Sequence, residues 1–257
     1  MLRYAAIALA ILAIAYLSVC ALLYRGQRDL LYFPQGTRVA PAQTDFALRR
    51  GADVQVRGWQ VTPGRDKVLL YFGGNAEDLR SARAQLQAAL PGHSLYLLAY
   101  RGYGASDGTP SETALVGDAL ALYDHVRAAQ PQAQIAVLGR SLGSGVASQL
   151  AARRAVSRLA LVTPFDSLVS AAQAHYPWVP VRWLLRDRYD SATALRGYRG
   201  PLLVLRAGHD QVVPPASTDA LLKALPQRPT VVAFAQADHN DISDDPGYVQ
   251  ALQAFLR

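Results

Sequence analysis

Short, mostly apolar runs recur along the chain from residue 68 onward, and helical patterns fill the stretches between them. Each run is too apolar to leave one face of a strand in water, which is typical of parallel strands in a sheet that helices cover on both sides. Residues 54–61 alternate apolar and polar positions and predict a half-buried strand at the sheet edge. We therefore predict an α/β fold with a mostly parallel, doubly wound sheet of about eight strands. The apolar runs are residues 68–72, 94–100, 135–138, 159–163, 201–205 and 230–234.

The first apolar stretch of the chain is longer than any of these runs. Residues 4–24 carry no charge, and 21 residues of helix can cross a hydrocarbon layer of about 30 Å. Arg3 and Arg25 flank the stretch, and a tyrosine stands at each of its ends, as is common at membrane boundaries. We therefore predict a membrane anchor at residues 1–26. The charges that flank it do not determine on which side of the membrane the rest of the chain lies. A cleaved signal peptide is the alternative, because a short basic start precedes the apolar stretch.

Composition favours one globular domain over residues 27–257. The chain has 257 residues, of which 51% are hydrophobic and 18% charged, and this is enough apolar material for a substantial core. The net charge of +7 comes almost entirely from arginines spread along the chain, so we predict no nucleic-acid partner and a surface that tolerates anionic lipid. A single cysteine excludes an internal disulfide and a cysteine-rich metal site.

The most informative motif is Gly-x-Ser-x-Gly at residues 139–143, between the run 135–138 and a helical pattern over 143–154. A serine on so sharp a strand-to-helix turn needs small neighbours, because the bend brings the end of the strand and the start of the helix almost into contact. The helix also points its N-terminal N–H groups and positive dipole end at this serine, Ser141. We therefore predict that Ser141 is a nucleophile beside a site that stabilises an oxyanion.

A serine hydroxyl becomes nucleophilic when an imidazole removes its proton, and a carboxylate must orient that imidazole. Asp210 follows the run 201–205 and His239 follows the last run, so both lie where strands of a parallel sheet end. The chain order of serine, acid and histidine is the one expected after a nucleophile elbow. We predict Ser141, Asp210 and His239 as a catalytic triad, with Asp166 as the reserve acid. Taken separately, Asp210 could simply cap a turn and His239 could be an exposed loop residue.

Two backbone N–H groups are predicted to hold the oxyanion. One is the N–H of Leu142, directly after the nucleophile. The other is expected in the loop after the run 68–72, where Gly73 and Gly74 let the backbone approach a substrate closely. We predict the N–H of Asn75 as this second donor and Gly74 as a substrate-binding residue. The alternative for this loop is a plain glycine turn into the next helix.

The stretch between the runs 159–163 and 201–205 is longer than a simple crossover helix requires. We predict a small helical cap there, at about residues 166–200, which contains Trp178 and Trp183 among prolines and arginines. The two tryptophans are predicted to bind substrate by forming an apolar wall for an acyl group. Equally, they could pack the cap onto the core. Aromatic side chains beside arginines also suit contact with lipid headgroups.

Together these motifs resemble those of the α/β-hydrolase superfamily, in the membrane-anchored, serine-aminopeptidase-like branch that includes the alpha/beta-hydrolase-domain proteins. The resemblance covers about residues 27–257 and departs at Gly73, where relatives often carry histidine. It implies Ser141 as nucleophile, Asp210 as acid, His239 as base, and an N-terminal anchor. The matching segments are residues 74–77, 100–108, 139–143, 208–214 and 238–241.

Members of this branch include lipid esterases and thioesterases that remove acyl groups from proteins. The resemblance and the motifs therefore predict a membrane-anchored serine hydrolase. We expect it to cleave carboxylic ester or thioester bonds of a small-molecule or acylated substrate through an acyl-enzyme intermediate, with no metal or organic cofactor. An aminopeptidase or amidase is one alternative, and it would need an anionic pocket for a substrate ammonium, with Asp166 and Asp107 as candidates. The other alternative is an α/β-hydrolase scaffold used only for binding, with the triad idle.

Overall fold

An eight-stranded sheet forms the centre of the computed structural model, which describes all residues 1–257. The strands are β1 (Phe46–Arg49), β2 (Gln55–Val61), β3 (Lys67–Phe72), β4 (His93–Leu98), β5 (Gln134–Arg140), β6 (Arg158–Val162), β7 (Leu202–Ala207) and β8 (Thr230–Phe234). They lie in the order β1-β2-β4-β3-β5-β6-β7-β8. The β1–β2 and β2–β4 pairs are antiparallel, and every other neighbouring pair is parallel. The predicted α/β fold class is confirmed.

Helices connect these strands and cover both faces of the sheet. The Oγ of Ser111 caps the longest connecting helix by accepting the N–H of Ala114 at 3.2 Å. The helices are α1 (Leu2–Leu31), α2 (Leu79–Ala89), α3 (Glu112–Ala129), α4 (Leu142–Ala151), α5 (Leu168–His175), α6 (Val181–Leu184), α7 (Ser191–Ala194), α8 (Pro215–Ala224) and α9 (Pro246–Leu256), with 3₁₀ turns at Gln35–Thr37, Pro41–Gln43, Leu195–Gly197 and Ile242–Asp244.

The burial of each strand follows its place in the sheet. All of residues 159–162 in β6 are fully buried, because helices cover both faces at the middle of the sheet. Val231 of the outermost strand β8 is exposed instead. Strand β2, predicted at the edge, lies one place inside it, because β1 pairs along its outer side. Because β3 to β8 run parallel, the loops that follow them lie at the same edge of the sheet.

Helix α1 stands apart from this core along most of its length. Residues 1–19 are exposed, whereas Cys20 is buried. The segment Leu2–Thr37 is long and apolar enough to span a membrane, with a mean hydropathy of 2.7 over its most apolar 18-residue window. The helix continues without a break through residue 26, the predicted end of the anchor, and ends at Leu31. Its last turns thus extend beyond the predicted anchor.

The insertion between β6 and β7 carries α5, α6 and α7 in place of a single crossover helix. We call residues 166–200 the cap. The cap packs against the end of α1, where the guanidinium of Arg28 pairs with the carboxylate of Asp187 at 3.0 Å. The hydroxyl of Tyr32 donates to the same carboxylate at 3.1 Å and lies 3.0 Å from the hydroxyl of Tyr189. These contacts hold α1 and the cap together beside the sheet edge.

Candidate active site

The turn from β5 into α4 places Ser141 at the carboxyl end of a central strand. Ser141 has a φ of +50°, a left-handed conformation that costs free energy for any residue except glycine. A Cβ at Gly139 would lie 2.3 Å from the carbonyl oxygen of Gly143, and a Cβ at Gly143 would lie 1.9 Å from that of Phe72. Strand and helix therefore touch through their backbones, which explains why the motif requires glycine at both positions.

Three side chains that are far apart in the sequence form a continuous chain of hydrogen bonds at this edge. The Oγ of Ser141 lies 2.8 Å from Nε2 of His239, and Nδ1 of His239 lies 2.8 Å from Oδ2 of Asp210. Asp210 and His239 are only 7% and 6% exposed. The other carboxylate oxygen of Asp210 accepts the N–H groups of Val212 at 3.0 Å and Val213 at 2.7 Å. A carboxylate held in this way favours the Nδ1–H tautomer of His239, which leaves Nε2 able to accept the serine proton.

The two backbone N–H groups predicted to hold an oxyanion donate to no protein acceptor. One belongs to Leu142, the first residue of α4, and the other to Asn75, in the loop after β3. Gly74 lies close to the serine, since a Cβ at Gly74 would be 3.6 Å from the Cβ of Ser141. The N–H of Gly74 itself donates to the carboxylate of Glu77 at 2.5 Å. Both predicted donors are thus available to an oxyanion.

The side chain of Asn75 ties this loop to the end of α1, a link that no local motif indicates. Its Oδ1 accepts the N–H of Phe33 at 3.1 Å and the hydroxyl of Tyr103 at 2.6 Å, and its Nδ2 donates to the carbonyl of Leu31 at 2.5 Å. Leu31 and Phe33 precede Asn75 by 44 and 42 residues. The segment that follows the apolar helix therefore positions the loop that carries the second N–H donor.

A bridge between Glu77 and Arg140 joins the same loop to the histidine loop. The guanidinium of Arg140 lies 3.6 Å from the carboxylate of Glu77 and donates to the carbonyls of His239 at 3.3 Å and Asn240 at 2.9 Å. Burial alone would lower the pKa of the Arg140 guanidinium, but the combined electrostatic effect of the surrounding groups, Glu77 first among them, raises this pKa above its usual value. Arg140 therefore stays cationic and holds the two loops in register. Its place inside the serine motif is the only sequence signal for this role.

Comparison with known proteins places this geometry in a family. The family model described as serine aminopeptidase, S33, matches residues 63–192, which include β3, the serine turn and most of the cap. This chain belongs to that family of α/β hydrolases. The hydrolase is 35% identical to the uncharacterized protein Rv2307c of Mycobacterium tuberculosis, over 96% of this chain and 93% of that protein. It is 29% identical to lysophosphatidylserine lipase ABHD12 of Xenopus tropicalis, over 66% of this chain and 55% of the lipase.

Solved structures agree with this assignment at the level of the fold. Esterase Pf2001 of Pyrococcus furiosus superposes on the hydrolase with a TM-score of 0.65, over 85% of this chain and 94% of the esterase, at 16% identity. An identity this low shows a shared architecture rather than a shared substrate. The predicted resemblance to the α/β hydrolases is confirmed.

The other acidic candidates in the hydrolase do not contact the histidine. Asp166, the reserve acid, accepts hydrogen bonds from the hydroxyls of Ser170 and of Ser217, the latter at 2.5 Å. Asp107 accepts the N–H of Gln55 at 3.0 Å, in the turn after β4. Asp210 is therefore the carboxylate that the fold brings to His239.

An apolar pocket of about 160 Å³ lies between the end of α1 and the cap. We call it the anchor–cap pocket, and every residue that lines it is apolar or aromatic except Gln27. Trp178 and Trp183 do not line it, because their side chains are 56% and 80% exposed on the surface of the cap. The two tryptophans therefore neither line this pocket, as predicted for an apolar wall, nor pack the cap onto the core. Prominent lining residues are Leu23, Leu30 and Leu31 of α1 with Ala172, Val181 and Leu184 of the cap.

Proposed function

We propose that this hydrolase cleaves carboxylic ester or thioester bonds of acyl, lipid-like substrates through an acyl-enzyme intermediate. The observation that carries the proposal is the unbroken hydrogen-bond chain from Asp210 through His239 to Ser141, with 2.8 Å at each step. The apolar lining of the anchor–cap pocket and the 29% identity to a lysophosphatidylserine lipase support an acyl substrate.

The first half of the reaction forms the acyl-enzyme. Nε2 of His239 takes the proton from Oγ of Ser141 as the oxygen attacks the carbonyl carbon. The N–H groups of Leu142 and Asn75 stabilise the negative charge that develops on the carbonyl oxygen. The tetrahedral intermediate then expels the alcohol or thiol, which takes the proton from His239. The acyl group is left on Ser141.

Water completes the reaction by the same route. His239 removes a proton from a water molecule, the resulting oxygen attacks the acyl carbon, and Ser141 leaves with the proton returned by His239. The carboxylate of Asp210 stabilises the imidazolium formed in each half-reaction. The two N–H groups from Val212 and Val213 keep its carboxylate in the required orientation.

We also propose that α1 is an uncleaved anchor, with residues 1–26 associated with lipid and residues 27–257 forming the hydrolase domain. The exposed apolar surface of residues 1–19 supports the lipid contact. The hydrogen bond from Tyr16 to the carbonyl of Trp178, and the places of Leu23 and Tyr24 in the anchor–cap pocket, support retention of the helix in the folded protein. Removal of residues 1–26 as a signal peptide would take away all of these contacts.

The test is hydrolysis of p-nitrophenyl acyl esters and of aminoacyl amides by the full chain in detergent, beside a Ser141→Ala variant. We expect turnover of the esters, loss of this turnover in the variant, and little cleavage of the amides. An aminopeptidase needs a free carboxylate for the substrate ammonium, whereas Asp166 and Asp107 are both engaged by protein donors. Aminoacyl amides cleaved faster than every ester would contradict the proposal.

A further inference from the structure

The anchor–cap pocket is built jointly by the apolar helix and the cap. Leu23, Leu30 and Leu31 line it from α1, whereas Ala172 and Leu184 line it from the cap. A pocket of about 160 Å³ is narrow compared with typical ligand sites of about 300–1,000 Å³. Its size and its lining suit a single slender apolar group.

The inner end of this pocket borders the loop that carries an oxyanion donor. Leu31 lines the pocket, and its carbonyl accepts the side-chain N–H of Asn75 at 2.5 Å. The neighbouring Gly74 lies against Ser141, as the 3.6 Å approach of its ideal Cβ position shows. Ser141 itself does not line the pocket, so an acyl chain bound there would run past Leu31 and Asn75 to reach a carbonyl at the serine.

The outer end of the cap lies at the depth of the apolar helix. The hydroxyl of Tyr16 donates to the carbonyl of Trp178 at 2.9 Å. Tyr16 precedes Tyr24, at the end of the uncharged stretch, by eight residues, which is about 12 Å along a helix. The cap thus contacts α1 about two helical turns inside the uncharged stretch, in the part proposed to lie in lipid.

The exposed tryptophans fit this placement. Trp178 and Trp183 are 56% and 80% exposed, and large exposed apolar side chains beside an apolar helix suit contact with lipid rather than with water. The guanidinium of Arg186 lies 4.6 Å from the ring centre of Tyr24, which places a cation at the end of the uncharged stretch. Exposed apolar side chains of the cap and the apolar surface of α1 thus lie on the same part of the molecule as the pocket that α1 and the cap form.

We propose that the anchor–cap pocket holds the acyl chain of a membrane ester, which enters sideways from the bilayer between α1 and the cap. The assignment rests on the proposed esterase function and names where its substrate binds. A chain that moves from the bilayer into this pocket exchanges one apolar environment for another and avoids water. The anchor helix is then half of the substrate site as well as the attachment to the membrane.

A bifunctional probe tests the assignment directly. The full chain in phosphatidylcholine vesicles is treated with a fluorophosphonate whose dodecyl chain ends in a diazirine, then illuminated and mapped by mass spectrometry. We expect phosphonylation of Ser141 and cross-links to residues 23–31 and to α5. Ser141 labelled with cross-links only to other segments would overturn the pocket and leave the proposed esterase intact. A folded protein without label on Ser141 would overturn both.

Substitutions in the two walls of the pocket, one from the cap and one from α1, give a second test with matched controls. Ala172→Trp narrows the pocket, whereas Ala174→Trp places the same side chain on the exposed face of α5. Leu23→Gln makes the α1 wall polar, whereas Leu22→Gln places the amide on the lipid-facing side of the same helix.

The readout is the ratio of kcat/KM for a dodecanoyl ester to kcat/KM for an acetyl ester. Because each apolar group excluded from such a pocket is worth about tenfold or more, we expect the ratio to fall about tenfold in both pocket variants. The two controls should keep the wild-type ratio to within about twofold. A ratio that stays at the wild-type value in both pocket variants, or falls equally in the controls, would overturn the assignment.

Discussion

The loops at the carboxyl edge of the sheet and the contact between α1 and the cap are positioned in different ways. Ser141, Asp210 and His239 lie one, three and five residues after the ends of β5, β7 and β8, so the parallel sheet itself brings them together. The α1–cap contact instead depends on side chains such as Arg28 and Asp187, which are 159 residues apart. The sheet therefore positions the Ser141, His239 and Asp210 side chains, whereas long-range side-chain contacts shape the anchor–cap pocket, which we propose binds the substrate.

The largest loss of activity is expected from a change in Asp210, the carboxylate that contacts His239 at the sheet edge. Asp210→Asn keeps the shape of the side chain but favours the wrong tautomer of His239, so kcat should fall by about 10⁴-fold. Asp166→Asn is the matched control, because Asp166 bonds to Ser170 and Ser217 rather than to the histidine. Steady-state ester hydrolysis by both variants would show which of the two aspartates acts on His239. A larger loss in Asp166→Asn would show that the acid was assigned incorrectly.

The tight turn before α4 can be broken sterically. Gly143→Ala would bring a Cβ to 1.9 Å from the carbonyl oxygen of Phe72, so we expect the unfolding free energy to drop by about 3 kcal/mol. Gly92→Ala is the control, since no atom lies within 4 Å of its ideal Cβ position, and its effect should stay within about 0.5 kcal/mol. Urea unfolding in detergent measures both. Equal stability of the two variants would mean that the strand and helix do not touch here.

The side chain of Asn75 connects the loop after β3 to the end of α1. Asn75→Ala removes its bonds to Leu31, Phe33 and Tyr103, while the backbone N–H proposed to hold the oxyanion is retained. Because the loop loses its fixed position rather than the donor, kcat should fall by about tenfold, less than the 10²-fold or more expected for a lost donor. KM for an acetyl ester should change little. Unchanged kcat would show that α1 does not position this loop.

The smallest expected effect lies at the opposite end of the sheet. Burial lowers the pKa of His93, whose Nε2 bonds to the carbonyl of Leu256 at 3.2 Å. The neutral ring is therefore favoured in the folded state. Its contribution to stability is complete above about pH 6.5 and is lost as the pH falls through the lower folded pKa.

Urea unfolding at about pH 7.5 and pH 5 checks this sign. The wild-type chain should lose more unfolding free energy between the two pH values than a His93→Gln variant, which cannot take up the proton. Ester hydrolysis at pH 7.5 should match in the two proteins, because His93 begins β4 at the edge away from Ser141. An equal loss of stability in both proteins would remove His93 as a source of the acid sensitivity.

The parts of the molecule that could be predicted from the sequence are those with local signals. Ser141 stands in a motif whose glycines are required by backbone contact, and Asp210 and His239 follow apolar runs that end at one sheet edge. Their order along the chain and their positions after predicted strands are enough to predict that the three residues lie together. The structure brings these three side chains into hydrogen-bond contact.

The parts that could not be predicted depend on contacts across long stretches of chain. The length of the stretch between the runs 159–163 and 201–205 indicates that a cap exists but not which of its faces is buried. The prediction that Trp178 and Trp183 form an apolar wall is therefore wrong, because both side chains lie exposed. Nothing near Asn75 in the sequence indicates that Leu31 and Phe33 hold its side chain. Such contacts follow from tertiary packing, which a pattern of apolar positions does not encode.

The most direct test of the central claim is stoichiometric labelling of the folded chain with a small fluorophosphonate, followed by peptide mapping. The claim is that the sheet edge activates Ser141 through His239. It predicts one phosphonyl group per molecule, attached to Ser141, and at least about 10³-fold slower labelling in a His239→Ala variant. A folded wild-type chain that stays unlabelled, or that is labelled at the same rate without His239, would contradict it.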